Sequence, residues 1–227
     1  SIRATPEPSS AASDVYKRQA VNNTKDALDG DHRLEEAKNN ANQTITNLSN
    51  LNNAQKDAEK NLVNSASTLE QVQQNLQTAQ QLDNAMGKLR HSIANKDQVK
   101  SDSKYLNEDP QIKQNYDDAV QRAEGLINAT QNPELLKANI DQATQSVQNA
   151  EQALHGAEKL NQDKQTSSTE LDGLTDLTDA QREKLREQIN SSNSRDDIKQ
   201  KIEQAKALND AMKQLLSLIH ISEPTRR

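Results

Sequence analysis

The chain has 227 residues, a formal net charge of −6, 31% hydrophobic residues, and no phenylalanine, tryptophan or cysteine. This composition excludes a broad core built around large aromatic side chains and excludes metal–thiolate sites, and the negative net charge disfavours a nucleic-acid surface, which would need a basic stripe. No apolar run approaches the roughly 20 residues of a membrane span, so we predict no membrane contact in this segment.

An internal repeat with an offset of about 126 residues (208 minus 82) organises the sequence. Its clearest instance is LDNAMGKL at Leu82–Leu89, which returns as LNDAMKQL at Leu208–Leu215. We interpret the chain as about one and a half copies of one long repeat. Apolar residues recur at spacings of three and four on a polar background, which predicts slender helical bundles rather than disorder.

The two ends of the chain lie outside the repeat. Residues 1–19 and 216–227 hold three of the five prolines and differ in composition from the rest. We predict that both are non-native-looking flanks, the first of them disordered, and we exclude both from the fold argument. Tyr16 and His220 are therefore not candidates for function.

Within the repeat, the first helix is predicted from Val21 to about Ile45, and short loops at Asn47–Leu51 and Gly173–Leu177 precede a second helix in each copy. Cap signals then mark the starts of the second and third helices, because a polar cap residue is followed three positions later by a side chain that can reach back. The cap pairs are Asn52 with Gln55, Thr178 with Gln181, Thr68 with Gln71, and Ser194 with Asp197.

Two long helices are predicted to be shared by neighbouring bundles. The first continues its apolar stripe over Leu69–Ile93 without a proline. The second is predicted to begin near Glu134, after Asn132-Pro133, and to end near Leu171. Between the two, Ser101–Asp109 is predicted to be a loop, and Asp109-Pro110 to start the next helix.

A glycine interrupts the second of these helices. Gly156 aligns with Gly30 at the repeat offset. Glycine in a helix interior costs about 1 kcal/mol relative to alanine. We therefore expect a kink or a close helix contact at this position.

Two segments of the sequence resemble modules of a known family. LDNAMGKLRHSI followed by YLNEDPQIKQNYDDAVQRAEGLINA resembles a FIVAR module, and residues 160–212 are similar to a GA module. Their alternation resembles the Ebh-type giant cell-wall-associated proteins of staphylococci. The resemblance implies an all-α fold of tandem three-helix bundles, joined by shared long helices into an elongated rod, at the bacterial cell surface. It also implies adhesion to fibronectin or another host matrix protein.

Repeat and resemblance together divide the chain into segments. We predict flanks at 1–19 and 216–227, the end of a FIVAR-like helix at 20–30, a GA-like module at 31–80, a FIVAR-like module at 81–152, a second GA-like module at 153–207, and the start of another FIVAR-like module at 208–215. A monomer is expected.

The sequence offers no constellation for catalysis or for cofactor or metal binding. His32, His91 and His155 are scattered and are interpreted as solvated surface residues. The adjacent carboxylates Glu35-Glu36 and Asp117-Asp118 diverge by about 100° on a helix, so they are poor acid–base pairs. We predict a protein that is not an enzyme and binds no cofactor. The binding residues stay unassigned.

Tyr105 and Tyr116 are the only aromatic residues within the repeat. They could stack on a sugar, but Tyr116 shares an apolar stripe with Ile112 and Val120, which favours core packing with the hydroxyl at the surface.

The GA resemblance raises albumin binding, yet the second-helix regions contain no aromatic anchor, which argues against it. We expect a rod-like spacer with weak multivalent matrix binding. The alternatives are an albumin- or carbohydrate-binding module and an intracellular spectrin-like scaffold.

Overall fold

The structure is a computed structural model that describes residues 8–222, and these contain ten helices and no strand. The predicted all-α class is confirmed. The helices are α1 (Pro8–Thr46), α2 (Asn53–Asn64), α3 (Leu69–Ile93), α4 (Lys96–Ser101), α5 (Ser103–Leu106), α6 (Pro110–Asn128), α7 (Lys137–Gln152), α8 (Gly156–Asp172), α9 (Asp179–Asn190) and α10 (Arg195–Ser222).

The chain divides into two compact units, and each contains a three-helix bundle. Of the described residues, the first unit comprises 8–90 together with Glu124–Gln142, and the second comprises His91–Ala123 together with 143–222.

In the first unit, the C-terminal part of α1, α2 and the N-terminal part of α3 form the bundle. Aliphatic side chains from the three helices and from the turn after α2 make its core, and burying a valine or isoleucine side chain contributes about 1.5–3 kcal/mol. The buried residues are Ala41, Ile45, Val63, Ala66, Val72 and Ala79.

In the second unit, α8, α9 and α10 form the bundle. Its buried core residues are Leu160, Leu171, Ile189, Ile198, Ile202 and Ala205. Four of these lie at the repeat offset from buried residues of the first core: Ile45 corresponds to Leu171, Val63 to Ile189, Val72 to Ile198, and Ala79 to Ala205. The sequence repeat is therefore a structural repeat.

Polar contacts also repeat at this offset. The Lys38 Nζ donates to the carbonyl oxygen of Asn64 at 2.8 Å, and the Lys164 Nζ donates to that of Asn190 at 2.9 Å. In both bundles the lysine therefore ties the first helix to the C-terminal end of the second, where carbonyl groups lack helical partners.

The four predicted helix starts are confirmed. Full capping boxes occur at Asn52 with Gln55 and at Thr178 with Gln181. At the third helices, the Thr68 Oγ1 accepts from the N–H of Gln71 at 3.1 Å, and the Ser194 Oγ accepts from that of Asp197 at 3.3 Å. Each hydroxyl satisfies a backbone donor that has no partner within its helix.

The first shared helix is also confirmed, because α3 runs unbroken from Leu69 to Ile93. After Ala79, its apolar stripe continues with Leu82, Met86 and Leu89, all of which are 0% exposed. The repeat equivalents on α10 are open: Leu208 is 37% exposed and Leu215 is 49% exposed.

The second shared helix was predicted wrongly. The stretch from Glu134 to Leu171 is two helices, since α7 ends at Gln152 and α8 begins at Gly156. The expectation of a close contact at Gly156 is confirmed, because a Cβ there would lie 2.6 Å from backbone atoms of Ser103, Lys104 and Glu108. The backbone of that neighbouring turn therefore packs directly against Gly156, where only a glycine fits.

The start of α7 also differs from the prediction. Asn132 does not cap a helix but has a φ of 48°, and α7 begins only at Lys137. Asparagine tolerates this left-handed conformation better than most residues. Leu136 precedes α7 and is 63% exposed, although the predicted helix, which begins near Glu134, would include it.

The predicted loop at Ser101–Asp109 is largely helical. It contains the end of α4 and all of α5, and Asp102 caps α5 by accepting from the N–H of Lys104 at 2.8 Å. The helix start at Pro110 is as predicted.

The N-terminal flank differs from expectation where it is described. Residues 8–19 belong to α1 and residues 216–222 to α10, so the disorder expected for 1–19 is wrong from residue 8 onward. Residues 10–19 and 216–221 are exposed. Residues 1–7 and 223–227 lie outside the described part of the chain.

Candidate functional site

The densest set of polar contacts lies in the second unit, where the turn after α5 meets the N-terminal ends of α8 and α10. We call it the junction cluster, and define it as Asn107, Glu108 and Asp109 on the turn, Lys159 and Asp163 on α8, and Arg195 at the start of α10. It joins positions up to 88 residues apart in sequence.

Glu108 is at the centre of the junction cluster, with a side chain that is 0% exposed. Its carboxylate forms an ion pair with Lys159 and accepts the N–H of His155 at 2.6 Å and that of Asp109 at 2.8 Å. The His155 contact satisfies a backbone donor that the break between α7 and α8 would otherwise leave without a partner.

Arg195 and Asn107 form the other half of the cluster. The Asn107 Oδ1 accepts the N–H of Arg195 at 3.0 Å, and the Asn107 Nδ2 donates to the carbonyl of Asn193 at 3.0 Å. The guanidinium of Arg195 contacts Asp163 at 2.7 Å and Asp109 at 3.0 Å. One arginine thus ties the turn to both α8 and α10.

The cluster shifts the ionisation of its members. Burial alone would raise the pKa of Glu108, but hydrogen bonds from Lys159 and from the backbone of Asp109 and His155 lower it below the usual value. Hydrogen bonds from Lys159 and Arg195 lower the pKa of Asp109. The pKa values of Lys159 and Arg195 rise correspondingly, so the charged forms of all four groups are favoured.

A second polar contact set lies in the first unit, at the start of α2. The Asn52 Nδ2 donates to the carbonyls of Leu126 and Ile127 at 3.2 and 3.1 Å, and the Gln55 Nε2 donates to that of Glu134 at 3.0 Å. The two residues that cap α2 therefore also hold the C-terminal end of α6 and the segment that follows it.

These contacts suit a structural role rather than a chemical one. A cleft of about 490 Å³ adjoins the junction cluster, lined in part by Lys113, Glu170 and Lys199. None of the buried side-chain atoms that lack a hydrogen-bond partner lies in that cleft. The charged side chains of the cluster pair with one another, so they hold the turn after α5 in place and are not positioned to bind a ligand.

The two tyrosines pack together in the second unit. Tyr116 is 0% exposed, and its ring meets that of Tyr105 edge-on at 6.1 Å. The expected core packing is confirmed, but the expected surface hydroxyl is wrong, because the Tyr116 hydroxyl is buried without a hydrogen-bond partner. Burial, with nearby Glu151 and Asp117, raises the pKa of Tyr116 to about 12. Tyr116 is not available to stack on a sugar.

Tyr105 is half-buried and also engaged. Its hydroxyl donates to the carboxylate of Asp117 at 3.0 Å, and the Lys113 Nζ lies 5.5 Å from its ring centroid. Burial and Asp117 raise the pKa of Tyr105.

The histidines and paired carboxylates lie apart. His32, His91 and His155 are exposed, and His155 has only Glu158 at 3.8 Å as an ionic neighbour. Asp117 pairs with Lys100 at 3.3 Å, whereas Asp118 accepts from Gln114 at 2.8 Å, so the two point to different partners. Within residues 8–222, no cluster of these side chains could hold a metal ion, and no helix is both long and apolar enough to cross a bilayer.

Sequence reasoning missed the junction cluster. Its members are spread from Asn107 to Arg195, and charged residues are common throughout the chain. The one available signal was the glycine at 156, which indicated a close contact without identifying its partner.

Comparison with known proteins places these features in a family. The profile of the GA module matches residues 31–85 and 157–211, and that of the FIVAR domain matches residues 85–155. The extracellular matrix-binding protein EbhA of Staphylococcus aureus strain Newman is 45% identical over 205 residues, which cover 90% of this chain and 6% of that protein. The extracellular matrix-binding protein ebh of strain NCTC 8325 is 47% identical over 195 residues, which cover 86% of this chain and 2% of that protein.

Two solved structures are similar as well. A crystal structure of an EbhA domain from Staphylococcus aureus has a TM-score of 0.79 and 33% identity, and the match covers 88% of this chain and 81% of that one. A structure from work on Embp-mediated adherence of Staphylococcus epidermidis to fibronectin has a TM-score of 0.54 and 34% identity, and the match covers 55% of this chain and 99% of that one. The chain spans only a small fraction of the curated relatives' length.

Proposed function

Because this chain belongs to the Ebh family of staphylococcal extracellular matrix-binding proteins, built from GA and FIVAR modules, we propose that it is a rod-like spacer segment of a cell-surface adhesin. The segment carries GA-like modules at 31–80 and 153–207 on either side of a FIVAR-like module at 81–152. It works as a monomer outside the cell, in the cell wall.

Helix α3 is the observation that carries this proposal. A helix of 25 residues is about 37 Å long. Its first half supplies Val72 and Ala79 to the first core, and its second half buries Leu82 and Leu89. One unbroken helix therefore carries buried side chains both in the first core and beyond it. Its continuity resists bending between modules.

Small-angle X-ray scattering on the full chain tests the spacer proposal. We expect an elongated particle whose maximum dimension exceeds that of a globular protein of equal mass. A compact globule would contradict the proposal, and so would the profile of a freely jointed chain.

We further propose weak, multivalent binding to fibronectin as the adhesive part of the function. The similarity to the Embp structure from work on adherence to fibronectin supports this. Within the repeat, the described residues offer no aromatic anchor, since Tyr116 is buried and Tyr105 is engaged with Asp117. Single modules should therefore bind weakly, and repetition along one chain would raise the avidity.

Surface plasmon resonance separates the two parts of the function. Immobilised fibronectin is exposed to this chain and, at equal module concentration, to a tandem of several copies. We expect weak binding by the single chain and a slower dissociation for the tandem. No binding by either one leaves the spacer function alone.

The alternatives have less support. Albumin binding would require apolar or aromatic anchors on α2 and α9, and among the large apolar residues there only Leu62 is exposed, at 46%. Carbohydrate stacking would require a free aromatic face, which Tyr116 lacks. An intracellular scaffold would be favoured if the intact protein lacked a secretion signal.

A further inference from the structure

One face of α1 is uncovered although its repeat equivalent is not. We define it as the docking face, made of Leu28, Gly30 and Arg33. Leu28 is 64% exposed, and a Cβ added to Gly30 would meet nothing within 4 Å. Arg33 is exposed.

The equivalent positions at the repeat offset are all engaged. Leu154 is 4% exposed, and Lys159 pairs with Glu108 and Asp109. The backbone of Ser103–Glu108 lies so close to Gly156 that a Cβ added there would be 2.6 Å from it. Arg33 has the same charge as Lys159, so the docking face offers a leucine, a glycine and a cation at the same three positions, with the glycine uncovered.

Local sequence does not explain why the two copies differ in backbone conformation. Ala27-Leu28-Asp29-Gly30 and Ala153-Leu154-His155-Gly156 differ only at the third residue. The first stretch lies inside α1, whereas the second separates α7 from α8. The contact from residue 155 to Glu108 is made by the backbone N–H, which an aspartate also has. The break therefore follows from the packed turn and not from the local residues.

We propose that the docking face binds the Ser103–Asp109 turn of a further copy of this repeat placed upstream in sequence, and that α1 breaks at Ala27–Asp29 when the turn docks. Glu108 of that copy pairs with Arg33, and its backbone packs on Gly30. The inference deepens the spacer proposal and rests on it. In this chain the turn is already packed on Gly156, so a second molecule in solution does not dock.

The upstream junction should be less polar than the one in the second unit. The residue equivalent to Arg195 is Leu69, which is 47% exposed, and the equivalent of Asp163 is Ala37. The ion pairs that Arg195 makes with Asp109 and Asp163 therefore have no counterpart, and the apolar Leu69 stands in the place of the arginine.

A lengthened chain tests the proposal. In it, residues 27–152 occur twice in register, so that 1–152 is followed directly by 27–227 and the new junction carries Ala27–Gly30. The chain has no cysteine, so nitroxide labels can be placed on introduced cysteines. One pair, Gln121→Cys in the second copy with Gln162→Cys, reports on the existing junction. The other, Gln121→Cys in the first copy with Glu36→Cys in the second copy, reports on the new one.

We expect pulsed electron paramagnetic resonance to give a narrow distance distribution of similar mean at both junctions. Gly30→Ala in the second copy should abolish the narrow peak at the new junction only. The matched control is Gly125→Ala in the first copy, where a Cβ meets nothing within 4 Å, and it should leave both peaks intact. A broad distribution at the unaltered new junction, beside a narrow reference, overturns docking and leaves the spacer proposal standing. A broad reference contradicts both.

Thiol reactivity gives an independent measurement that does not depend on the label distances. Leu28→Cys in the second copy of the lengthened chain should react more slowly with a thiol reagent than Leu28→Cys in the original chain, because docking buries the position. Equal rates would overturn the inference.

Discussion

Glu59 is a buried residue whose repeat equivalent, Leu185, is apolar. Glu59 is 1% exposed, and neither oxygen of its carboxylate has a hydrogen-bond partner. Leu185 instead packs against the second core. We predict that Glu59→Leu raises the free energy of unfolding by about 1–3 kcal/mol at pH 7, because it removes an unsatisfied buried polar group. Urea denaturation followed by circular dichroism measures the change.

The matched control is the reverse exchange, Leu185→Glu, which should destabilise the second bundle. The pH dependence gives a further check. Burial raises the pKa of Glu59 above 4.5. The original chain should therefore gain stability as the pH falls through that raised value toward 4.5, and the leucine variant should lack this gain. A less stable Glu59→Leu chain at pH 7 would contradict the argument.

The Tyr116 hydroxyl offers a second test at the level of one group. It is buried with no partner, while the ring packs against Tyr105. We predict that Tyr116→Phe leaves the free energy of unfolding unchanged or raises it by up to about 1 kcal/mol. Tyr116→Ala should lower it by about 3–5 kcal/mol, as is typical of large aromatic side chains. If the phenylalanine variant lost as much as the alanine variant, the hydroxyl would have a partner that the structure lacks.

Among the elements, α3 must stay continuous, and Gln80 is the place to test this. Gln80 is exposed and lies between Ala79 of the first core and buried Leu82. Proline at this position removes a helical hydrogen bond and clashes with the preceding turn, so we predict a loss of about 3 kcal/mol in the free energy of unfolding. Gln80→Ala is the control and should cost nothing. Urea denaturation gives the stability.

Circular dichroism and scattering on the same proline variant separate a local from a global effect. The two bundle cores do not depend on Gln80, so the helical signal should be largely kept while the scattering profile becomes that of a more flexible particle. Loss of helix throughout the chain would mean that the bundles are not separate cores.

The helices also divide into those that the sequence could predict and those that it could not. Cap residues act within one turn, so Asn52, Thr68, Thr178 and Ser194 indicated their helix starts correctly. The break at Ala153–His155 depends on Glu108 and the turn around it, which local sequence does not report. The nearly identical four-residue segments that begin at Ala27 and Ala153 adopt different conformations because only the second one contacts that turn.

The burial of Tyr116 could be predicted from apolar periodicity, which is a local property of the sequence. The junction cluster could not be predicted, because its ion pairs join charged residues 32 to 86 positions apart. In a chain that is 27% charged, many such pairings are compatible with the same pattern. Only the three-dimensional arrangement selects among them.

At the scale of the whole molecule, the carboxyl groups whose pKa is shifted are unevenly distributed between the two units. The second unit holds Glu108, Asp109 and Asp197, and hydrogen bonds and nearby cations lower the pKa of each. For Asp197 the main cause is the hydrogen bond from the Ser192 hydroxyl, at 2.7 Å. The first unit holds Glu59, whose pKa is raised by burial. The two units should therefore respond to acid in opposite directions.

We predict that acid unfolds the second unit before the first. A carboxylate whose folded pKa is lowered contributes stability above its unfolded pKa, here about 4.5 for Glu108 and 3.8 for the aspartates, and that contribution is lost as the pH falls through the lower folded value. Glu59 contributes in the opposite sense. Tyr105 and Tyr116 lie in the second unit, whereas Tyr16 is 73% exposed on α1. The near-ultraviolet dichroism of tyrosine should therefore disappear at a higher pH than the far-ultraviolet helix signal. In Glu108→Gln, which cannot ionise, the near-ultraviolet signal should be less stable to urea at pH 7 and should depend less steeply on pH. Coincident transitions in the original chain would contradict the separation of the two units.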